Sequence, residues 1–346
     1  MNMSKHGKIM VSEISETPNI FAKLISTDLF TKELETLLDS ANIKSILILA
    51  RGTSDNAAHF LKYLVETQLG LPCGLTSPSS VSIYNSKLKY ENTLVVAISQ
   101  SGKSTDLVEF AKAAKHAGAK LVSMTNDETS PLATNADFHI SLQAGPELAV
   151  AATKSYSAQL LISYLLVMKW AGKTAHIQKL VPQAHAVIAA RGEIAEIAQT
   201  IDLGHQLVVL GRGFAYPNAK EAALKIQETC KVNVHGMSTA DYQHGPISAL
   251  EKDSQVILLA PCCMPANSMG EAVEKIRKIT KKIYWIGKGA EIVDGEFNLG
   301  GSCCEDEITS SIVDAIILQE LALNLSVANG LNPDAPIGLS KVTMTI

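Results

Sequence analysis

The sequence lacks a basic stripe, because its lysines and arginines are scattered singly and the formal net charge is −4. A protein that binds nucleic acid needs clustered positive charge, so this class of function is excluded. No apolar run follows the first basic residues of MNMSKHGKIMVSEISETP, which argues against a signal peptide. The longest mainly apolar stretch, 158–171, has polar interruptions and predicts a buried helix, not a membrane span.

CxxC spacing is also lacking. The six cysteines are Cys73, Cys230, Cys262, Cys263, Cys303 and Cys304. Their arrangement does not indicate a disulfide framework, and we expect reduced thiols in a cytoplasmic protein. No cluster of His, Cys and carboxylates has the spacing of metal ligands, and we expect neither a metal nor another cofactor.

What the sequence does contain is an internal repeat. Residues 46–54 (ILILARGTS) resemble residues 207–215 (LVVLGRGFA), 161 positions later. Two further apolar strands, at 93–99 and 120–125, recur 162 positions later at 255–261 and 282–287. Three strands that recur at nearly one offset indicate two copies of one fold within the 346 residues.

Short apolar strands that alternate with helices predict an α/β fold with two tandem, doubly wound parallel sheets. The predicted bounds are 1–40 for an N-terminal helical extension, 41–175 for the first sheet domain, 176–200 for a helical linker, 201–330 for the second sheet domain and 331–346 for an ordered C-terminal tail. Ligands of such sheets bind at the carboxyl ends of the strands.

The loop Ser99-Gln100-Ser101-Gly102-Lys103-Ser104 stands between a predicted strand and a predicted helix at 104–117. Hydroxyl donors, a glycine and a helix N-terminus together suit a phosphate. The alternative is a Ser/Gly-rich turn with an N-cap. The loop is neither GxxxxGK[ST] nor GxGxxG, which excludes a P-loop hydrolase and disfavours a dinucleotide site. The second copy has Pro261-Cys262-Cys263 instead, so we expect only the first copy to bind phosphate.

The second copy contains three candidate chemical groups. Glu221, Lys225 and Glu228 share one helix face, either as a solvated ion-paired face or with Glu228 as a general base whose charge Lys225 tunes. His244 precedes a Gly-Pro turn and is either an acid/base group or a surface histidine. Lys341, near the C-terminus, is either solvated or held by a docked tail.

Six motifs in order resemble the double sugar-isomerase-domain (SIS) family, which has a flavodoxin-like fold and includes the isomerase half of glucosamine-6-phosphate synthase. They are ARGTS at 50–54, SQSGKS at 99–104, ELAVAATKSY at 147–156, KEAALKIQE at 220–228, HGP at 244–246 and LSKVT at 339–343. The resemblance covers residues 7–346. It implies an enzyme of amino sugar metabolism that interconverts aldose and ketose phosphates.

The resemblance also implies roles for single residues. Glu228 matches the base that moves a proton between C1 and C2, and His244 matches the residue that opens the sugar ring from the neighbouring subunit of a homodimer. Lys225 and Lys341 match lysines of the same site, the latter on a closing tail. Val150 and Ala152 match positions that line the sugar. The predicted phosphate and substrate contacts are Arg51, Gly52, Thr53, Ser54, Ser99, Gln100, Ser101, Ser104 and Ser340.

The sequence departs from the synthase pattern in three places. Ala152 stands where the synthase has Ser, residues 76–84 lack its charged side chains, and position 2 is Asn where a glutaminase has its Cys nucleophile. Without a glutaminase, we expect the degradative direction. Glucosamine 6-phosphate and water would give fructose 6-phosphate and ammonia, which makes the enzyme a deaminase and a hydrolase.

Other functions remain open at this stage. Relatives act as simple phosphosugar isomerases, as galactosamine-6-phosphate deaminases or as fructosamine-6-phosphate deglycases. A different class is a non-catalytic sugar-phosphate sensor, which would need a DNA-binding module that the sequence does not show. The expected partners are therefore a sugar phosphate and a second copy of the chain that shares the active site, with no nucleic acid and no membrane.

Overall fold

The computed structural model describes residues 6–265 and 267–341. Its chain forms two compact units, each built from more than one stretch of sequence. Among the described residues, the first-sheet unit comprises 22–147, 158–175 and 340–341, and the second-sheet unit comprises 6–21, 148–157, 176–265 and 267–339. Residues 148–157 thus pack with the second sheet although the repeat assigns them to the first copy. The predicted domain bounds stay a prediction.

Helices fill the N-terminal part of the chain, as the sequence predicts. They are α1 (Lys8–Ser15), α2 (Thr17–Ser26) and α3 (Lys32–Ser40). Thr31 caps α3 by accepting a hydrogen bond from the N–H of Leu34. On α1, Met10, Glu13 and Ile14 are buried.

The first-sheet unit contains a parallel sheet of β1 (Ser45–Leu49), β2 (Cys73–Leu75), β3 (Thr93–Ile98), β4 (Lys120–Thr125) and β5 (Phe138–Ser141). In the described chain its strand order is β2-β1-β3-β4-β5. Helical segments alternate with these strands: α4 (Thr53–Leu64), a π-helical turn (Val65–Leu69), α5 (Ser79–Ser82), α6 (Thr105–His116) and α7 (Pro131–Asn135). Helix α8 (Lys154–Trp170) follows, and its residues from Ala158 onward belong to this unit. All six residues of β3 are buried, which explains its unbroken apolar pattern.

The second-sheet unit repeats this topology. Its strands are β6 (Leu207–Gly211), β7 (Val234–Ser238), β8 (Gln255–Leu259), β9 (Lys282–Ile286) and β10 (Phe297–Asn298). Read from the β7 edge, the order among the described residues is β7-β6-β8-β9-β10, the same as in the first sheet. The remaining helices are α9 (Leu180–Ala189), α10 (Arg191–Ala198), α11 (Tyr216–Cys230), α12 (Thr239–Gln243), α13 (Gly270–Ile279) and α14 (Glu307–Ala328). The shared order confirms the predicted duplication and the doubly wound fold.

Helix α14 is the central helix of the second-sheet unit. It is long and apolar enough to cross a membrane, but 83% of its most apolar window is buried inside the structure. Its sides pack against α9, α10 and α11. Burial on all sides explains why its sequence is apolar all round, and it is the core helix of this unit.

One prediction about the cysteines is wrong. Cys262 and Cys303 form a disulfide, whereas Cys73, Cys230, Cys263 and Cys304 are free thiols. The two partners are 41 residues apart in the sequence, in the loop after β8 and in the loop before α14. Spacing alone could not show that these two loops meet.

Asp314 on α14 is a buried acid. Its Oδ1 accepts a hydrogen bond from the N–H of Ser302 at 2.7 Å, and burial raises its pKa to about 7. A carboxyl group that binds its proton more tightly in the folded chain stabilises the fold at low pH, and this contribution is lost as pH rises from about 4 to about 7. We expect the unfolding free energy of the natural chain, relative to that of Asp314→Asn, to fall by about 2.5 kcal/mol between pH 5 and pH 8. Urea titrations of both proteins measure this, and parallel pH curves would contradict it.

Candidate functional site

The predicted phosphate loop joins β3 to α6. Ser99 is buried, and its Oγ accepts a hydrogen bond from the N–H of Gly102 at 3.0 Å, which turns the loop back on itself. The Oγ of Ser101 accepts one from the N–H of Lys103 at 3.3 Å. Ser104 stands at the N-cap of α6, and in the described chain its side chain makes no capping hydrogen bond. In the first turn of α6 the N–H of Leu107 donates to Asp106 Oδ1 at 2.9 Å, so an anion there would be bound by the N–H groups that precede Leu107.

The charged side chain of this loop is already paired. Lys103 Nζ lies 2.9 Å from Asp127 Oδ2, and hydrogen bonds from Thr129 and Lys103 lower the pKa of Asp127 to about 2. Because Lys103 is paired with Asp127, the loop offers an anion its hydroxyl and N–H donors, and not a separate positive charge.

The loop after β1 lies beside this one, because β1 and β3 are neighbours in the sheet. Arg51 donates from Nε to Asp106 Oδ2 at 2.9 Å, and Asp106 lies buried in the first turn of α6. Half of the Arg51 side chain remains exposed. Gly52 has φ 57 and ψ −130, a conformation that favours glycine, and leads into Thr53. Ser54 is buried and accepts a hydrogen bond from Gln159 Nε2 at 3.0 Å.

The equivalent edge of the second sheet is closed by backbone. A Cβ on Gly289 would overlap the carbonyl oxygen of Pro261, one on Gly287 that of Ala260, and one on Gly301 the backbone of Gly287. The N–H of Gly289 donates to the carbonyl of Ala260 at 2.9 Å. The strand-end loops therefore pack against each other where the first copy has its phosphate loop. That only the first copy binds phosphate stays a prediction.

Helix α11 carries the charged cluster of the second-sheet unit. Lys225 is 1% exposed, its Nζ donates to Glu228 Oε2, and the same nitrogen lies 3.6 Å from Glu221 Oε1. Glu221 is buried, whereas the side chain of Glu228 is 24% exposed. The cluster is thus not a solvated face, because two of its three members are buried. Glu228 is the member that a solute can reach.

His244 follows α12 and is exposed. Its N–H donates to the carbonyl of Asp241 at 3.0 Å, and within the described residues no hydrogen bond of its ring is found. Gly245, with φ 139, redirects the chain immediately afterwards. The fold thus presents this imidazole at the surface of the second-sheet unit.

Lys341 is held by the first-sheet unit. Its Nζ lies 3.0 Å from Glu147 Oε2, and the side chain of Glu147 is fully buried. The lysine is therefore not simply solvated, whereas Ser340 before it is exposed. The rest of the predicted ordered tail, residues 342–346, lies outside the described residues.

Val150 and Ala152 lie in an irregular segment, 148–153, of the second-sheet unit. The N–H of Val150 donates to the carbonyl of Asp334 at 3.1 Å. The residue after the segment is Lys154, which is 1% exposed and pairs with Glu16 Oε2 at 2.7 Å. Glu13 on α1 accepts hydrogen bonds from the segment's first two N–H groups.

The structure groups the predicted residues by unit. The first-sheet unit holds Arg51, Gly52, Thr53, Ser54, Ser99, Gln100, Ser101, Ser104, Ser340 and Lys341, and the second-sheet unit holds Val150, Ala152, Lys225, Glu228 and His244. Their roles stay predictions. Sequence reasoning missed Asp106, Glu147, Glu13, Glu16 and Lys154. Two of these, Glu147 and Lys154, stand inside the motif ELAVAATKSY and could have been singled out there.

Within residues 6–265 and 267–341, no group of three or more His, Cys, Asp or Glu side chains is placed to hold a metal ion.

Comparison with known proteins gives three findings. The family model for the SIS domain matches residues 41–169. A glutamine–fructose-6-phosphate aminotransferase (isomerizing) of Methanothermobacter thermautotrophicus is 28% identical over 97% of the chain, which spans 57% of that relative's length. The C-terminal domain of glucosamine-fructose-6-phosphate aminotransferase from Francisella tularensis aligns with a TM-score of 0.87 and 24% identity, over 96% of this chain and 98% of that one.

A further solved structure has the same fold. It is a glucosamine-6-phosphate deaminase from Thermotoga maritima, with a TM-score of 0.79 and 22% identity, over 98% of this chain and all of that one.

Proposed function

We propose that the chain, whose residues 41–169 match the family model for the SIS domain, is a phosphosugar enzyme that interconverts aldose and ketose forms and deaminates glucosamine 6-phosphate. The products are fructose 6-phosphate and ammonia. The observation that carries the proposal is the pair of Lys225 and Glu228 on α11, in which the ammonium is buried and the carboxylate is accessible.

The pair suits proton transfer at carbon. A carboxylate that is fixed by a buried cation keeps one orientation, and an accessible oxygen can accept a proton from a substrate. Lys225 at the same time places a positive charge beside the carboxylate, which can stabilise negative charge that develops on the substrate. Glu228 is thus the base of the proposal, and Lys225 stabilises charge beside it.

The proposed reaction proceeds in three steps. His244 moves the proton of the C1 hydroxyl to the ring oxygen, which opens the ring and leaves an aldehyde at C1. Glu228 then takes the proton from C2, and the substrate ammonium passes one proton to O1, which gives an enolamine. Glu228 returns its proton to C1, so that C1 becomes a hydroxymethyl group and C2 an iminium ion. Water adds to C2 and ammonia leaves. The last step needs no oxidant and no further co-reactant, because water is the only added molecule.

The first-sheet unit supplies the phosphate anchor in this proposal. The donors are the hydroxyl groups of the Ser99–Ser104 loop and the N-terminus of α6, with Arg51 next to them. Lys341 and Ser340 are assigned to substrate contact through the family resemblance. A homodimer is part of the proposal, with His244 serving the site of the neighbouring copy. Its exposure on the second-sheet unit supports this role.

The direct test is an assay of the purified chain with glucosamine 6-phosphate. We expect ammonia and fructose 6-phosphate in equal amounts, detected separately by coupled enzymes. A panel with galactosamine 6-phosphate, fructosamine 6-phosphate adducts and fructose 6-phosphate serves as the specificity control. Turnover of another phosphosugar alone would replace the substrate, and binding of phosphosugars without any turnover would make the chain a sensor.

A further inference from the structure

Helix α1 contacts the irregular segment 148–153. The segment lies within the residues that the SIS domain model matches, whereas α1 lies before them. We propose that Glu13 on α1 is a positioning residue, whose carboxylate fixes the backbone of this segment and so places Val150 and Ala152 against the sugar. The inference rests on the proposed function and on the family resemblance, which assigns these two residues to the lining of the sugar site. It adds α1 to the parts of the chain that control sugar binding.

The contact itself is made by a buried acid. Glu13 is 3% exposed, and its Oε1 accepts hydrogen bonds from the N–H groups of Leu148 and, at 3.3 Å, of Ala149. Two consecutive N–H groups that point at one carboxylate give a strong, charge-assisted arrangement. The backbone at 148 and 149 therefore has a defined direction.

A second link joins the same helix to the same segment. Asp334 accepts hydrogen bonds from the N–H of Met10 on Oδ1 at 2.8 Å and from the N–H of Ile9 on Oδ2 at 3.2 Å. Its backbone carbonyl accepts the N–H of Val150 at 3.1 Å. Asp334 thus places the start of α1 and the sugar-lining position at once, and Glu13 completes the connection from the other end of α1.

The far end of the segment is fixed as well. Lys154 is 1% exposed, and its Nζ lies 2.7 Å from Oε2 of Glu16, the residue between α1 and α2. Gln319 on α14 donates from Nε2 to the carbonyl of Thr153 at 3.0 Å. Both ends of the segment are therefore fixed within the second-sheet unit, and Val150 and Ala152 lie between the fixed ends.

Glu13 is needed because residues 148–153 have no helix or strand of their own. Ala149 is fully buried, so its N–H has no access to water if the carboxylate is removed. A buried N–H without an acceptor is unfavourable, and the backbone moves until the group is satisfied. Leu148 is 70% exposed and can turn its N–H to solvent. The N–H of Ala149 is thus the group that forces the segment to shift.

The test is the variant Glu13→Ala, compared with Glu33→Ala, which removes an exposed carboxylate from α3. We expect Glu13→Ala to weaken fructose 6-phosphate binding about tenfold, by loss of one charge-assisted hydrogen bond, and to leave the Kd of inorganic phosphate within about twofold, since the phosphate donors are elsewhere. Amide exchange of Ala149 should become at least about tenfold faster. Glu13→Gln keeps one carbonyl acceptor and should recover part of both effects.

The outcomes separate the two claims. Two results would overturn the positioning role. If phosphate and fructose 6-phosphate binding weaken equally, the variant has lost stability in general. If the exchange rate of Ala149 is unchanged, the contact with Glu13 does not order the segment. If the natural chain binds phosphate but no phosphosugar, the proposed function fails and the sugar role of Glu13 with it. The exchange measurement on the free protein still reports whether Glu13 orders the segment.

Discussion

Glu228→Gln is expected to lower the turnover of glucosamine 6-phosphate about 10³-fold, while the Kd of fructose 6-phosphate changes little. A positioned general base contributes between about 10² and 10⁴ in rate, and an amide of the same shape cannot accept the proton from C2. Lys225 loses a charged partner but keeps a hydrogen-bond acceptor and the nearby Glu221, so α11 should remain folded. The measurement is kcat with the ammonia assay, beside a titration of the ligand.

Glu274→Gln is the matched control, since it makes the same change at an exposed position of α13. A Glu228→Gln enzyme with the kcat of the control would remove Glu228 from the role of base.

Mixing Glu228→Gln with His244→Ala subunits adds a test of the proposed dimer. If each site takes His244 from the other copy, mixed dimers regain one intact site, and about a quarter of the activity should return.

Gly102→Ala is expected to have the second largest effect, a loss of phosphate affinity of about 10²-fold. Gly102 has φ 66, and a Cβ there would overlap the hydroxyl of Ser130 and lie 2.6 Å from its Cβ. Ser130 cannot move aside easily, because it is fully buried and caps α7 by accepting the N–H of Ala133. The loop must therefore move instead, and its donors move with it.

Gly172→Ala is the control that distinguishes the effect of the steric clash at Gly102 from the effect of backbone strain. Gly172 has nearly the same φ, 65, but no atom lies near its Cβ position. Both variants should lose about 1 kcal/mol of stability to the left-handed conformation. Only Gly102→Ala should lose phosphate binding, as calorimetry with inorganic phosphate would show. Equal phosphate affinity in the two variants would contradict the role of the loop.

The sequence predicted the sheets well, because buried parallel strands leave a direct trace. After their first residues, Thr93 and Gln255, β3 and β8 are apolar without alternation, and burial on both faces is the physical cause. The repeat then predicted a shared strand order, and the second sheet has it. The position of the Ser99–Ser104 loop could be predicted for the same reason, since it follows directly from β3, whereas its binding of phosphate stays a prediction.

The burial of individual side chains and the contacts between residues distant in sequence could not be predicted. Spacing put Glu221, Lys225 and Glu228 on one helix face, but it could not show that Lys225 is 1% exposed, because that depends on the packing of α14 against α11. Arg51 and Asp106 are 55 positions apart and carry no shared pattern. The placement of residues 148–157 with the second sheet likewise depends on Glu13 and Asp334, which are distant in sequence.

The attachment of α1 to Asp334 also affects how the chain folds during its synthesis. The hydrogen bond between Met10 and Asp334 joins positions 324 residues apart. At 5–20 residues per second, a ribosome needs roughly 15 to 65 seconds to make the chain between them. Throughout that interval the apolar side chains of Met10 and Ile14 have no α14 to cover them. Helix α1 is therefore translated long before the helix that covers it, and a nascent chain that has not yet reached Asp334 would keep α1 open to chaperones and proteases.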